Sequence, residues 1–289
     1  MAERRVIDQK FAVVSYAIGL CVSVLGSSIV AATVDINTNL FIYLSYLIPQ
    51  IGYIGVFSIN YFRYGQKFTD LLKKDNVKGV HYPLAIALAV GILFFALMPN
   101  FYLQKGIAMI GSNATTVVPK MEYWYDYVLC TLIICVLPAI GEELIFRKAF
   151  CDGMQEVSDV KTIFLCALAF SLSHLSLAQT VHQFFLGVIL GFIYVATRNI
   201  TLTMVMHFVN NLLALFLEKI TGAEFWTDNV VLGVSMAIGL LVAVGAIFGF
   251  IKTSKKVDNS KNGKLDTLTI ILFAVLGLAW ALTTALSFM

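Results

Sequence analysis

Glu142, Glu143 and Arg147, in the stretch AIGEELIFRKAF at 139–150, close an apolar run that otherwise reads as a membrane helix. An ionised side chain near the bilayer centre costs roughly 2.5–3.5 kcal/mol on insertion scales, so such residues face the bundle interior and mark a functional site. Glu143 and Arg147 stand four apart on one helix face, where an acid and a base can pair. Glu142 points about 100° away and keeps a free carboxylate. Two further stretches repeat the spacing: FSLSH sets Phe170 four before His174, and HFVNN sets His207 four before Asn211. A carboxylate beside a neutral imidazole can take a proton from water and return it to a leaving amine, the acid and base work of amide hydrolysis. A second imidazole and a carboxamide on one face can donate hydrogen bonds to a developing oxyanion. No Ser or Cys is paired with a base, so activated water is expected rather than a covalent nucleophile.

These residues need helices to hold them. The chain of 289 residues is 59% hydrophobic and 13% charged, a composition that excludes a soluble domain. Apolar runs of 18 or more residues suit helices crossing about 30 Å of hydrocarbon, and the alternation of an outer-membrane barrel is absent. The expected fold is all-α, a polytopic transmembrane helical bundle of about nine spans, with eight as the alternative. The spans fall near 11–34, 40–62, 82–99, 124–151, 161–177, 181–197, 200–218, 229–251 and 266–287. With a cytoplasmic N-terminus, seventeen of the twenty Lys and Arg fall inside, leaving Lys105, Lys120 and Lys219 outside. Measured from the basic end at 1.5 Å per residue, Glu142 lies about 15 Å in, His174 about 20 Å, His207 about 10 Å and Asn211 about 16 Å. Three helices thus bring polar groups to similar depths.

The connections divide the chain into 1–123, 124–218 and 219–289: leading spans, a compact four-helix catalytic core, and trailing spans. The basic loops at 63–81 and 252–265 read as topology determinants or anionic-lipid contacts. A long outer loop, 100–123, carries the sequon-like NAT at 113–115. Gly187 and Gly191 are spaced for close approach of a neighbouring helix, and Pro138 could kink the fourth span. His81 and His182 read as interfacial, and Tyr123, Trp124, Tyr125 and Tyr127 as an aromatic belt. The five cysteines, with no CxxC pair, read as small apolar residues. A net charge of +3 gives no support to nucleic-acid binding.

EELIFR, FSLSH and HFVNN, in this order, resemble the motifs of the CAAX protease and bacteriocin-processing family, also called Abi, which includes type II CAAX prenyl endopeptidases. The resemblance covers about 124–218. It implies that Glu142 and His174 activate water, that His207 and Asn211 form the oxyanion site, and that Glu143 and Arg147 hold the helix. The expected activity is an intramembrane endopeptidase opening to the cytoplasmic side of a bacterial plasma membrane, in leader-peptide, bacteriocin or pheromone processing, or in self-immunity. Its partners would be membrane lipid and a peptide or lipidated-protein substrate. No cofactor is favoured, because HExxH is missing and an Asn suits oxyanion binding better than metal ligation. The rival mechanism uses zinc held by Glu142, His174 and His207. A different class, a membrane carrier or silent regulator, would use the same residues as relay or structural groups.

Overall fold

The computed structural model describes residues 5–72, 76–111 and 118–288. The expected NAT at 113–115 and the basic residues Arg4, Lys73 and Lys74 lie outside them. Among the described residues nine main helices follow one another: α1 (Gln9–Thr33), α2 (Asn39–Arg63), α3 (His81–Met109), α4 (Trp124–Cys151), α5 (Asp159–Leu172), α6 (Leu177–Thr197), α7 (Ile200–Thr221), α8 (Asn229–Thr253) and α9 (Thr267–Leu286). All except α5 are long and apolar enough to cross a membrane. The all-α polytopic bundle is therefore the architecture, with eight candidate spans.

The departure from nine spans has a local cause. At 14 residues α5 reaches only about 21 Å. The chain then turns sharply, with Leu175 at a φ of 49°, a left-handed conformation that costs a branched side chain energy. Inside the membrane such a turn survives only where protein covers it. The chain direction is unaffected, since α6 returns to the starting end, where Arg198 lies 3.8 Å from Asp159.

Helix starts follow their caps. Asp8, Thr38, Asp228 and Asp266 each accept hydrogen bonds from first-turn amides of α1, α2, α8 and α9. The Asn199 side chain does the same for Leu202 at 2.8 Å. Helix α4 is the axis, packing against α1, α2, α5, α6 and α7 and more buried than any other span. Helix α9 is the most peripheral.

Close packing rests on small residues. A Cβ at Gly187 would stand 3.0 Å from Ala167 Cα, and Gly191 faces Ile163 at 3.4 Å, so the glycine pair seats α5 on α6 as its spacing predicted. On the opposite side, α3 and α8 meet where a Cβ at Gly91 would lie 2.6 Å from the Ala243 amide nitrogen.

The loop at 254–266 does more than carry charge. Asp159 accepts from the Asp258 amide at 2.7 Å and from Lys261 at 3.1 Å, which ties the loop to the start of α5. Asp152 gathers Lys148 at 2.8 Å, Arg198 at 3.3 Å and the Tyr194 hydroxyl at 2.9 Å beside it. The basic end of the bundle is thereby closed.

Replacing Gly91 by Ala should lower the thermal midpoint of the purified protein, by the equivalent of about 1–3 kcal/mol for overpacking against backbone. Gly233→Ala, where a Cβ meets nothing within 4 Å, should leave it unchanged. Equal midpoints for the two variants would contradict the close α3–α8 contact.

Candidate active site

Helix α4 changes its winding twice. Residues Thr131–Val136 and Leu144–Cys151 are π-helical, and Leu137–Glu143 between them is α-helical. Such wide turns recur at functional sites. The expected kink at Pro138 takes this form: the helix runs on, but its hydrogen-bond ladder is rewritten. Pro138 has no N–H, so the Ile134 carbonyl four residues earlier loses its α-helical donor. The Asn211 carboxamide reaches that carbonyl at 3.4 Å.

Glu142 and Glu143 diverge as their spacing requires. Glu143 is fully buried, with Oε2 3.3 Å from Arg147 Nε. Its Oε1 lies 2.9 Å from His207 Nδ1, a partner that spacing along α4 could not show. A carboxylate held by Arg147 accepts, so His207 carries a proton on Nδ1, and its Nε2 lies 3.7 Å from Glu142 Oε2. The other Glu142 oxygen, Oε1, accepts from Gln50 Nε2 on α2 at 2.9 Å. Gln50 was invisible in the motifs because its partner lies 92 positions away.

His174 caps the short helix. Its Nδ1 lies 2.8 Å from the Phe170 carbonyl, which can only accept, so Nδ1 donates and Nε2 of the neutral ring is left with a lone pair. Phe170 joins the parts: its ring meets His174 edge-on at 5.0 Å and His207 at 5.8 Å, and the Arg147 guanidinium lies 4.8 Å over it.

Glu142, His174, His207 and Asn211 line one cavity of about 790 Å³, while Glu143 and Arg147 stand behind its wall. Asn210, Gln179, Gln183 and His182 line it too, so His182, expected at a membrane boundary, faces the cavity. His81 is buried against Phe250 at 5.3 Å, with Nε2 3.1 Å from Thr253 Oγ1, which makes it a packing residue. Tyr123, Trp124, Tyr125 and Tyr127 are exposed. Four of the five cysteines are buried, as the apolar reading expects, and Cys21 is exposed.

The cavity extends toward one end of the bundle. Its lining runs from Glu142 and His207 past Asn100 and Gln104 to Val118, Leu217 and Thr227, at the end remote from the basic loops. Toward those loops Phe146, Arg147, Phe150, Cys151, Met154 and Leu202 are completely buried and seal the bundle. Aromatic packing around Arg147 fills the route toward the basic loops.

Among the described residues, no three His, Cys, Asp or Glu side chains are grouped so as to hold a metal ion. One oxygen of Glu142 is engaged by Gln50, and one nitrogen each of His207 and His174 by Glu143 and Phe170.

Residues 124–213 match the family model described as type II CAAX prenyl endopeptidase Rce1-like. This stretch contains all three motifs. No curated protein and no solved structure matches the chain.

Removing Arg147 alone should be costly, because Glu143 would keep a buried charge without its cation. Arg147→Met is expected to lose about 3–5 kcal/mol, and the double variant Glu143→Gln, Arg147→Met to recover part of it. Unfolding in mild detergent measures both, and an Arg147→Met protein as stable as wild type would contradict the buried pair.

Sidedness is equally open to test. In a cysteine-free background in intact cells, Gln104→Cys should react with a membrane-impermeant maleimide and Lys78→Cys should not. The reverse pattern would place the basic loops outside.

Proposed function

We propose that the chain is an intramembrane endopeptidase that hydrolyses a peptide bond with water activated by Glu142 and His174. The observation that carries this reading is the convergence of Glu142, His174, His207 and Asn211 on one cavity, with His207 fixed from behind by Glu143. The match of 124–213 to a family of endopeptidases supports the same reaction class.

In the proposed reaction, water between Glu142 and His174 gives up a proton to the Glu142 carboxylate, and its oxygen attacks the scissile carbonyl carbon. The carbonyl oxygen becomes an oxyanion that Asn211 stabilises through its carboxamide N–H, and that His207 stabilises through Nε2 once this nitrogen carries a proton as well. The tetrahedral centre collapses as the C–N bond breaks, and the proton passes to the leaving amine. The long 3.4 Å contact of Asn211 with Ile134 leaves its amide free to turn toward a substrate. Among the described residues no His, Cys, Asp and Glu side chains group as a metal site, and the reaction proposed routes no step through a metal.

The substrate we propose is a peptide lying close to the membrane of a bacterial cell, in leader-peptide, bacteriocin or pheromone processing or in self-immunity. With the positive-inside bias placing the basic loops in the cytoplasm, the peptide would enter from the outer half of the bilayer.

Purified protein should cleave an internally quenched peptide. A farnesylated CAAX peptide and an unprenylated leader peptide, run side by side, distinguish the two substrate types. Glu142→Ala and His174→Ala should each lose at least about 100-fold, and Asn211→Ala about 100- to 1000-fold in turnover. Folded variants that match wild type would overturn the enzyme reading. Activity lost in chelator and restored by zinc would replace the metal-free mechanism.

A further inference from the structure

Gln50 lies on α2, outside the stretch that matches the endopeptidase family, yet it touches the carboxylate assigned to water activation. Its side chain is buried, and its Nε2 donates to Glu142 Oε1 at 2.9 Å. A carboxylate oxygen accepts, so the nitrogen end of the carboxamide faces it. The other end, Oε1, has no hydrogen-bond partner. Such a group is costly to bury, so the single bond to Glu142 fixes which way the amide faces.

The seat for Gln50 is made by the residue before Glu142. A Cβ at Gly141 would stand 2.6 Å from Gln50 Oε1 and 3.4 Å from the Gln50 carbonyl oxygen. Only a residue without a side chain lets α2 and α4 approach closely enough for the carboxamide to lie against the α4 backbone. With Oε1 of Glu142 held, Oε2 is the oxygen turned toward His207.

We infer that Gln50 is a positioning residue, which with Gly141 orients the Glu142 carboxylate so that its Oε2 faces His207 and the cavity. The inference rests on the endopeptidase reading and assigns α2 a part in the site. A carboxylate anchored at one oxygen cannot swing away from the water it must deprotonate, and this fixed geometry contributes to rate rather than to binding.

The test uses full-length protein in detergent with the quenched peptides above. Gln50→Met keeps the bulk and removes the donor. It should lower kcat about ten- to a hundredfold at unchanged KM. Gly141→Ala keeps every polar group but displaces the carboxamide, and should reproduce the loss. In a Glu142→Gln background neither substitution should reduce the residual rate further, whereas a merely structural role would lower it in both backgrounds. Wild-type turnover in a folded Gln50→Met protein would overturn the positioning role and leave the endopeptidase reading intact. A wild-type protein that cleaves neither peptide would overturn both.

Discussion

The site depends on one buried carboxylate. Glu143 holds Arg147 with one oxygen and His207 with the other, and nothing about it reaches solvent. An isolated charge at that depth would be strongly disfavoured, and the guanidinium makes it tolerable. Arg147 in turn rests on Phe170, whose ring also abuts both imidazoles. A chain of contacts therefore runs from an ion pair in α4 to the rings of α5 and α7. The two nitrogens that face the cavity are set by atoms behind its wall.

Winding supplies the rest of the geometry. The two π-helical stretches of α4 flank the short α-helical piece that bears Glu142 and Glu143. Pro138 leaves the Ile134 carbonyl without its usual donor, and Asn211 leans on it. The turn at Leu175 ends α5 early and leaves His174 at mid-depth instead of carrying it to the far surface. These departures from regular winding lie where the site needs a polar atom.

Much of this was legible in the residues. Apolar runs located the eight long helices to within a few positions, except that α3 continues to Met109 past the expected end at 99. The cost of polar groups in hydrocarbon singled out the residues now found around one cavity. The pairing of Glu143 with Arg147 followed from i,i+4 geometry. What spacing could not carry were contacts between distant segments: Gln50 on Glu142, Glu143 on His207, and Asn210 and Gln183 at the cavity wall. The ninth span failed because hydropathy does not register a left-handed turn at Leu175. Depth counts do not reveal toward which end the cavity extends, because the aromatic packing that fills the other end joins distant segments.

The central claim is that Glu142 is the residue on which peptide hydrolysis turns. Quantitative mass spectrometry of peptide termini, on membranes from cells carrying wild-type or Glu142→Ala protein at equal levels, tests it most directly. The account predicts a set of new termini, from bonds at or near the membrane surface, present with wild type and absent with Glu142→Ala. Identical terminus profiles in the two membranes would contradict it.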